Sequence, residues 1–223
     1  MMELQAVILD VDGTLVLSND AHARAWVESF AAYGYDVSFE QVRPLIGMGG
    51  DQVISILVPS LNDEEGDGKA IAENRKKLII EHFGSSLAPA PGSRDLILQM
   101  QSAGLKLIIA TSATKEELSV LLKAAKVDDL LKEATTSSDA EASKPAPDII
   151  EAALSKLKMT PNQVLMIGDT PYDIQSAKAA GVGLIAVRCG GFEDQQLKMA
   201  LAIYNDPADI LANYDSSPLG QIN

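Results

Sequence analysis

Cysteine is nearly absent from this chain of 223 residues, which contains only Cys189. A single cysteine excludes an internal disulfide framework and a cysteine-based metal site, and it is typical of a reducing cytoplasm. Basic residues are also few, since 18 Lys and Arg stand against 31 Asp and Glu, giving a formal net charge of −13. Binding to nucleic acid needs a basic surface, so we expect no nucleic-acid partner. Any anionic ligand would have to meet a local cationic spot.

Long apolar runs are missing as well. No stretch of about 18 apolar residues occurs, and no basic leader followed by an apolar segment begins the sequence. We therefore expect no membrane partner and a cytoplasmic location. The hydrophobic content of 47% is nevertheless enough for a sizeable core in a chain of this length. A monomer or a weak homodimer is the expected state.

The most informative segment lies close to the start of the sequence. The apolar run 6–9 predicts a parallel strand buried on both faces, and it ends at Asp10 and Asp12, followed by Gly and Thr. Open α/β sheets bind their ligands at the carboxyl ends of such strands. Two carboxylates so close together repel each other unless a cation or a proton intervenes. Because hard oxygen ligands favour Mg²⁺, this segment predicts a magnesium site.

The rest of the chain alternates between strand and helix patterns, which predicts a right-handed, doubly wound parallel sheet. Further strands are predicted at 105–110, 133–136, 164–167, 183–187 and 202–204. Between the first two strands the sequence shows only helical patterns, and the proline-rich segment 88–92 is expected to be a stiff return linker. We therefore predict an α/β core domain (1–16 and 89–223) with an inserted all-α domain (17–88). Residues 215–223 are expected to be a loose tail.

Reactive side chains follow several of the predicted strands. Thr111 and Ser112 end the second strand of the core, and Asp169 and Asp173 follow the fourth; Lys144 precedes a helix. Parallel strands place their carboxyl ends at one edge of a sheet, so these residues are expected to converge on Asp10 and Asp12.

The order and spacing of these residues resemble the four motifs of the haloacid dehalogenase (HAD) superfamily, over the whole chain except its tail. The resemblance implies that Asp10 is the nucleophile that forms an aspartyl-phosphate, and that Asp12 is the general acid and base. Thr111 would bind a phosphoryl oxygen. Lys144 would neutralise charge on the phosphoryl group and on Asp10, as phosphoryl transfer requires.

The same resemblance implies a ligand set for Mg²⁺. The metal would be held by Asp10, the backbone carbonyl of Asp12, and Asp169. Asp173 would be a further ligand or an anchor for Lys144. Backbone N–H groups near Gly13 and Ser112 would supply further donors to a small phosphorylated metabolite.

The inserted helices resemble a C1-type HAD cap of the phosphoglycolate phosphatase and β-phosphoglucomutase branch. In the mutase the residue that matches His22 serves the acid/base aspartate, which implies that His22 lies near Asp12. Gly47 and Gly50 would let the backbone approach a substrate, and Arg43 is a candidate for a substrate anion. The loop 46–50 lacks the lysine and arginine with which the mutase binds a distal phosphate, so a phosphatase of the phosphoglycolate phosphatase type is the favoured function.

Three alternatives remain at this point. A β-phosphoglucomutase-like mutase would use the same nucleophile. A receiver-like phosphorylation switch shares the Asp, Thr or Ser, Lys and magnesium, although a cap of about 70 residues fits it poorly. An inactive scaffold would have kept the fold alone. A dehalogenase is disfavoured, because that branch lacks the second acid of the pair, which is Asp12 here.

Overall fold

The computed structural model describes residues 4–220. The strands of this part of the chain are β1 (Ala6–Leu9), β2 (Val16–Leu17), β3 (Ala88–Pro89), β4 (Lys106–Ala110), β5 (Ala134–Thr135), β6 (Val164–Gly168), β7 (Gly183–Val187) and β8 (Ala202–Tyr204). Its α-helices are α1 (Asn19–Ala32), α2 (Phe39–Val42), α3 (Gly50–Leu57), α4 (Gly66–Leu78), α5 (Ser93–Ser102), α6 (Lys115–Ala124), α7 (Asp148–Leu157), α8 (Pro171–Ala179), α9 (Asp194–Leu197) and α10 (Pro207–Ala212).

Six of the strands form one parallel sheet in the order β5-β4-β1-β6-β7-β8. β1 is a central strand, since Ile8 pairs with Ile108 of β4 on one side and with Met166 of β6 on the other. This confirms the predicted doubly wound parallel fold. The arrangement brings the carboxyl ends of β1, β4 and β6 side by side, which is where the site forms.

Both faces of the sheet are covered by helices, and alternate residues of β1 point to opposite sides. Val7 and Leu9 belong to one buried cluster, with residues of α5, α6 and α10. Ala6 and Ile8 belong to the other, with residues of α7, α8 and α9. Burial on both sides explains why β1 is apolar at every position instead of alternating. Among residues 4–220 no helix combines the length and apolar character needed to cross a bilayer.

The helices between β2 and β3 pack on each other around a third buried cluster, which includes Trp26, Phe30 and Ile54. We refer to residues 19–86 as the helical insert. β2 and β3 pair antiparallel, with Val16 opposite Pro89, and they join the insert to the sheet. The expected linker at 88–92 therefore begins with a short strand that the sequence analysis missed. The predicted domain boundaries fall inside this ribbon, and the division into domains stays a prediction.

In the helical insert, α4 ends at Leu78 and a π-helical turn follows over Ile79–Phe83. The expected loose tail is partly anchored, because Ser217 and Leu219 are fully buried and Leu219 belongs to the cluster with Val7. Apolar burial near the end of a chain outweighs the tendency of termini to fray. Residues 221–223 of the tail lie outside the described residues.

Candidate active site

A buried lysine joins two carboxylates at the carboxyl end of the sheet. Lys144 Nζ donates to Asp10 Oδ1 at 2.6 Å, to Asp173 Oδ1 at 2.8 Å and to the carbonyl of Ala110 at 3.1 Å. All of these groups are buried, and Lys144 is only 2% exposed. Each of the three ammonium protons therefore has an acceptor within the protein. The structure thus brings together residues that lie more than 130 positions apart in the sequence.

The cluster holds more negative charge than Lys144 neutralises. Oxygens of Asp10, Asp169 and Asp173 all lie within 4.8 Å of one another, and the three residues are buried. Burial and the neighbouring carboxylates raise the pKa of Asp10 to about 8, although Lys144 acts against them. Burial also raises the pKa of Asp169 well above its usual value, with further contributions from Asp173 and Asp10. A divalent cation would relieve this excess, and carboxylate oxygens are ligands that Mg²⁺ prefers.

The surroundings of Asp169 fit such a cation. Its Oδ1 accepts from Thr14 Oγ1 at 3.0 Å and its Oδ2 accepts from Asn19 Nδ2 at 2.8 Å, so the carboxylate is held in one orientation. Asp10 Oδ2 accepts only a long 3.4 Å bond, also from Thr14. Asn19 Oδ1 is buried and has no hydrogen-bond partner in the part of the chain that the structure describes. A buried acceptor of this kind suits the water shell of a hydrated cation.

Asp173 accepts three hydrogen bonds, whereas Asp10 and Asp169 accept two each. Its Oδ1 accepts from Lys144, while its Oδ2 accepts from the N–H and the hydroxyl of Thr170 in the capping box that begins α8. Asp173 therefore has less remaining capacity to bind a metal than Asp10 or Asp169. Of the two roles left open by the sequence, the geometry favours the anchor of Lys144.

The raised pKa values predict how the stability of the metal-free protein changes with pH. Asp10 binds its proton more tightly in the folded chain than in the unfolded one, so its contribution is fully present below about pH 4 and is lost as the pH rises through about 8. In EDTA the melting temperature is expected to fall between pH 5 and pH 8. Mg²⁺ should raise it more at pH 8 than at pH 5. A melting temperature that rises over this interval in EDTA would contradict the assignment.

Gly190 lies directly beside the carboxylate of Asp169 and has no side chain that would compete for its space. A Cβ at this position would overlap the carboxylate of Asp169, so only glycine fits beside it. We expect Gly190→Ala to raise the Mg²⁺ concentration needed for half-maximal thermal stabilisation of the protein by about tenfold or more, because it displaces a candidate ligand. Gly34→Ala is the control: its φ of +82° strains an alanine, but a Cβ there meets nothing within 4 Å, so only stability should change. Equal Mg²⁺ requirements in the two variants would contradict the role of Gly190.

On the other side of Asp10, Asp12 begins a chain of contacts that leads through the helical insert. Ser18 Oγ donates to Asp12 Oδ1 at 2.5 Å, and His22 Nε2 lies 2.6 Å from the same oxygen. Arg75 Nη2 lies 2.6 Å from His22 Nδ1, while Arg75 Nη1 pairs with Glu117 of α6. Although burial acts in the opposite sense, His22, Ser18 and Arg75 together hold the pKa of Asp12 below its usual value.

These contacts fix the proton positions on His22. Arginine can only donate hydrogen bonds, so Nδ1 of His22 must accept from Arg75. The ring then carries its proton on Nε2, and this N–H donates a hydrogen bond to Asp12. In this arrangement Asp12 is an ionised carboxylate that accepts two hydrogen bonds, which is the form needed for a general base.

A cavity of about 50 Å³ lies between the two aspartates and the helical insert. Its walls include Asp10, Asp12, His22, Thr111 and Ser112. Within residues 4–220 the buried hydroxyl oxygen of Ser112 has no partner, so it is available to a ligand, whereas Thr111 Oγ1 accepts from the N–H of Ala113 at 3.1 Å. A second cavity of about 450 Å³ adjoins the first. The small cavity suits a reacting group and the large one suits the remainder of a ligand.

The family model of the haloacid dehalogenase-like hydrolases matches residues 7–187, a segment that contains all of the acidic and basic groups described above. The chain belongs to this family. The predicted membership of the HAD superfamily, and with it the prediction of a hydrolase, is confirmed.

Relatives of this HAD chain include Protein CbbY of Rhodobacter capsulatus, which is 32% identical over 193 residues, or 82% of this chain and 85% of that protein. Pyrophosphatase PpaX of Anoxybacillus flavithermus is 28% identical over 182 residues, or 81% of each chain. The chloroplastic protein SUPPRESSOR OF QUENCHING 1 of Arabidopsis thaliana is 32% identical over 190 residues, or 83% of this chain, and the match spans only 18% of that protein.

Solved structures of HAD proteins are also similar. A hydrolase from Pseudomonas syringae has a TM-score of 0.88 and 28% identity, covering 96% of this chain and 98% of that one. CbbY from Rhodobacter sphaeroides in complex with phosphate has a TM-score of 0.75 and 26% identity, covering 95% and 99%. Another structure of that protein contains xylulose-(1,5)bisphosphate.

Within this HAD site the predicted cap residues have different positions. Gly47 and Gly50 line the small cavity, as a role in substrate approach requires. Arg43 lines neither cavity, since its Nε pairs with Asp20 at 2.7 Å and its Nη2 donates to the carbonyl of Gly190 at 2.5 Å. In this conformation Arg43 therefore joins the helical insert to the loop after β7 and does not point at a substrate.

Gly13 also differs from its predicted role as a source of a free N–H. Its φ is +74° and its N–H donates to the carbonyl of Val16 at 2.8 Å, so this donor is already used in the turn between β1 and β2. A Cβ on Gly13 would overlap Asp169 and Asn19. The position requires glycine because of the turn and the close approach of Asp169.

Local sequence patterns did not predict five residues that the structure places in the site, namely Thr14, Ser18, Asn19, Arg75 and Glu117. Thr14 and Asn19 follow the motif closely, so their nearness to Asp10 was a usable signal. Arg75 lies in a run of three basic residues on α4, and Glu117 looks like an ordinary helix-capping residue in the box with Thr114. Nothing in the local sequence distinguishes either from a surface charge.

Proposed function

We propose that this HAD hydrolase is a Mg²⁺-dependent phosphatase of the phosphoglycolate phosphatase type, which hydrolyses a small phosphate monoester through an aspartyl-phosphate. The observation that supports it most strongly is the position of Asp10, whose carboxylate is fixed by buried Lys144 at the wall of a small cavity that also contains Asp12. The phosphate bound in CbbY and the name of PpaX agree with this class of reaction.

In the first step an oxygen of Asp10 attacks phosphorus, and the bond from phosphorus to the leaving-group oxygen breaks. Lys144 offsets the charge of Asp10 and limits the repulsion of the incoming phosphate. Ser112, whose hydroxyl has no partner, donates to a phosphoryl oxygen, and Thr111 lies beside it. We propose the same role in binding for Thr111 once the cavity is filled.

Asp12 serves both halves of the reaction. In its protonated form it gives a proton to the departing oxygen. As the carboxylate described above it then takes a proton from the water that attacks phosphorus and breaks the bond between phosphorus and Asp10, which restores the protonated form. The hydrogen bonds from Ser18 and His22 hold its carboxylate toward the small cavity. His22 therefore acts through Asp12 as a positioning residue.

A Mg²⁺ ion, when bound, would supply positive charge to the phosphoryl group and orient it. Asp10, Asp169 and the backbone carbonyl of Asp12 are the residues that we propose would hold it. Asp173 remains the anchor of Lys144 in this scheme.

We also propose that the helical insert is the cap that excludes water from the reaction, and that the protein acts in the cytoplasm. Besides the contacts of Asn19, His22 and Arg75, three further hydrogen bonds join the insert to the sheet domain within residues 4–220. Ser143 Oγ donates to Asp51 at 2.5 Å, Tyr172 donates to the carbonyl of Pro44 at 2.7 Å, and Arg43 donates to Gly190. Such a closed arrangement keeps water from the aspartyl-phosphate until the leaving group departs.

Release of inorganic phosphate tests this function. The panel contains p-nitrophenyl phosphate, phosphoglycolate, sugar phosphates and β-glucose 1-phosphate, each with Mg²⁺ and with EDTA. Mg²⁺-dependent release from at least one compound is expected. Isomerisation of glucose 1-phosphate with little phosphate lost would instead favour the mutase. Phosphorylation of the protein without turnover would favour a switch, and complete inactivity would favour a scaffold.

A further inference from the structure

The larger cavity beside the reaction site is lined mainly by carboxylates. Its volume of about 450 Å³ is in the range of small-molecule sites. It shares Trp26, Gly50, Arg75 and Ser112 with the small cavity over Asp10. A substrate whose phosphate lies in the small cavity would therefore place its leaving group in the large one. Six acidic and two basic residues line it, for a formal net charge of −4. The acidic residues are Asp51, Asp63, Glu64, Glu73, Glu117 and Glu141.

The two cations offer little to a second anionic group. Arg75 is paired with Glu117 through Nη1, bonded to His22 through Nη2 and stacked 5.3 Å from the centre of the Trp26 ring. Lys76 is the other cation among the described residues that line the cavity. By contrast, Asp63, Glu64, Glu73 and Glu141 form no ion pair within residues 4–220. Their charges therefore remain available to act on a bound molecule.

Resting on the phosphatase function above, we propose that this acidic cavity selects the substrate by the charge of its leaving group. It favours a sugar phosphate whose leaving group carries a protonated amine, accepts one that carries only hydroxyls, and rejects one with a carboxylate or a second phosphate. The phosphoglycolate phosphatase type named above therefore describes the reaction, and phosphoglycolate itself, whose leaving group carries a carboxylate, is among the rejected substrates. Carboxylates repel an anion most where the cavity walls limit screening by solvent. The cavity would thus discriminate between substrates by repelling an anionic leaving group, even where the reacting phosphates of those substrates bind equally well.

Two observations agree with this assignment. Ser112 lies at the boundary of the two cavities, and while its hydroxyl donates to the phosphoryl group its oxygen can still accept from a neutral hydroxyl of the leaving group. Arg43, in the turn that follows α2, bonds to Asp20 and to the carbonyl of Gly190 and does not line the cavity. Its positive charge therefore does not offset the carboxylates of the lining. A structure of CbbY, a similar protein, contains xylulose-(1,5)bisphosphate. We infer that this chain differs from that relative in the group it accepts.

The test compares three six-carbon phosphates that differ in charge, namely glucosamine 6-phosphate and glucose 6-phosphate, which are rings, and gluconate 6-phosphate, which is an open chain. Each is measured at pH 7 with Mg²⁺ as an inhibitor of p-nitrophenyl phosphate hydrolysis, because a competing substrate and an unreactive ligand both give an inhibition constant. We expect the constant to rise about tenfold from the amine to the neutral sugar, and about tenfold again to the carboxylate. In 1 M salt, where the screening length is about 3 Å, the differences should shrink.

A matched pair of double variants assigns the effect to the cavity. Glu73→Gln with Glu141→Gln removes two exposed charges of the lining, and it should reduce the ratio between the amine and the carboxylate at least threefold, about the effect of a weak charge pair. Glu133→Gln with Glu151→Gln removes two exposed charges outside the lining and should leave the ratio unchanged.

The outcomes separate this proposal from the function on which it rests. Equal inhibition constants, the reverse order, or no inhibition by any of the three would overturn the charge selection, while hydrolysis of p-nitrophenyl phosphate would still support the phosphatase. A fall in the ratio in both double variants would show that net charge alone acts, and would also overturn the role of the cavity. If p-nitrophenyl phosphate itself is not hydrolysed with Mg²⁺, both proposals fail.

Discussion

Replacing Asp10 with Asn is expected to lower turnover by about 10⁴-fold or more, because an amide cannot form the aspartyl-phosphate. The substitution keeps the size of the side chain and removes one negative charge from a buried cluster of three carboxylates. Since the pKa of Asp10 is raised to about 8, this charge destabilises the metal-free fold at pH 8. The melting temperature of the variant in EDTA at pH 8 should therefore equal or exceed that of the natural sequence.

Two quantities are measured for this variant, the rate of phosphate release and the melting temperature. Asp36→Asn is the control, because Asp36 is exposed between α1 and α2 and its loss should change neither reading. An Asp10→Asn protein that folds and keeps more than about a tenth of the activity would show that another group attacks phosphorus.

Replacing Lys144 with Met is expected to abolish activity and also to destabilise the protein by about 3–5 kcal/mol in EDTA, because Asp10 and Asp173 would stay buried without their shared cation. The cost should be smaller at pH 5 than at pH 8. Carboxylates without a cation take up protons in the folded state, so the loss grows as the pH rises above the pKa of the unfolded chain. Urea unfolding at the two pH values measures this difference.

Lys156→Met is the matched control for this prediction. Lys156 pairs with Asp139 at 2.8 Å, but its side chain is 40% exposed, and exposed pairs contribute about 1 kcal/mol or less. The control should therefore retain activity and most of its stability. If Lys144→Met costs no more than Lys156→Met, the lysine is not the charge that holds the two carboxylates together.

The sequence predicted the sheet well because its strands are buried on both faces and carry an unbroken apolar run, as β1 does. It did not predict β2 and β3, which are two residues long each and include the pairing of Val16 with Pro89. A pairing between segments more than 70 residues apart leaves no local pattern. The anchored position of Leu219 has the same origin, since the cluster that buries it is assembled from distant strands and helices.

The residues of the candidate site were likewise predicted only in part from the sequence. Asp10, Lys144, Asp169 and Asp173 stand in a motif order that local sequence reveals, and the topology of a parallel sheet explains why they meet. The contact of Arg75 with Glu117 joins α4 of the insert to α6 of the sheet domain, and the two residues lie 42 positions apart in the sequence. Which loop cations face the cavity also depends on that packing, as the position of Arg43 shows.

The measurement that tests the central claim most directly is mass spectrometry of the Asp12→Asn variant, quenched in acid shortly after mixing with p-nitrophenyl phosphate and Mg²⁺. This leaving group departs without a proton, so the first step proceeds, while the amide that replaces the Asp12 carboxylate cannot activate the water for the second. The account predicts a phosphoryl group on the peptide that contains Asp10, formed together with a burst of nitrophenolate. A burst with no phosphoryl group on that peptide would contradict it.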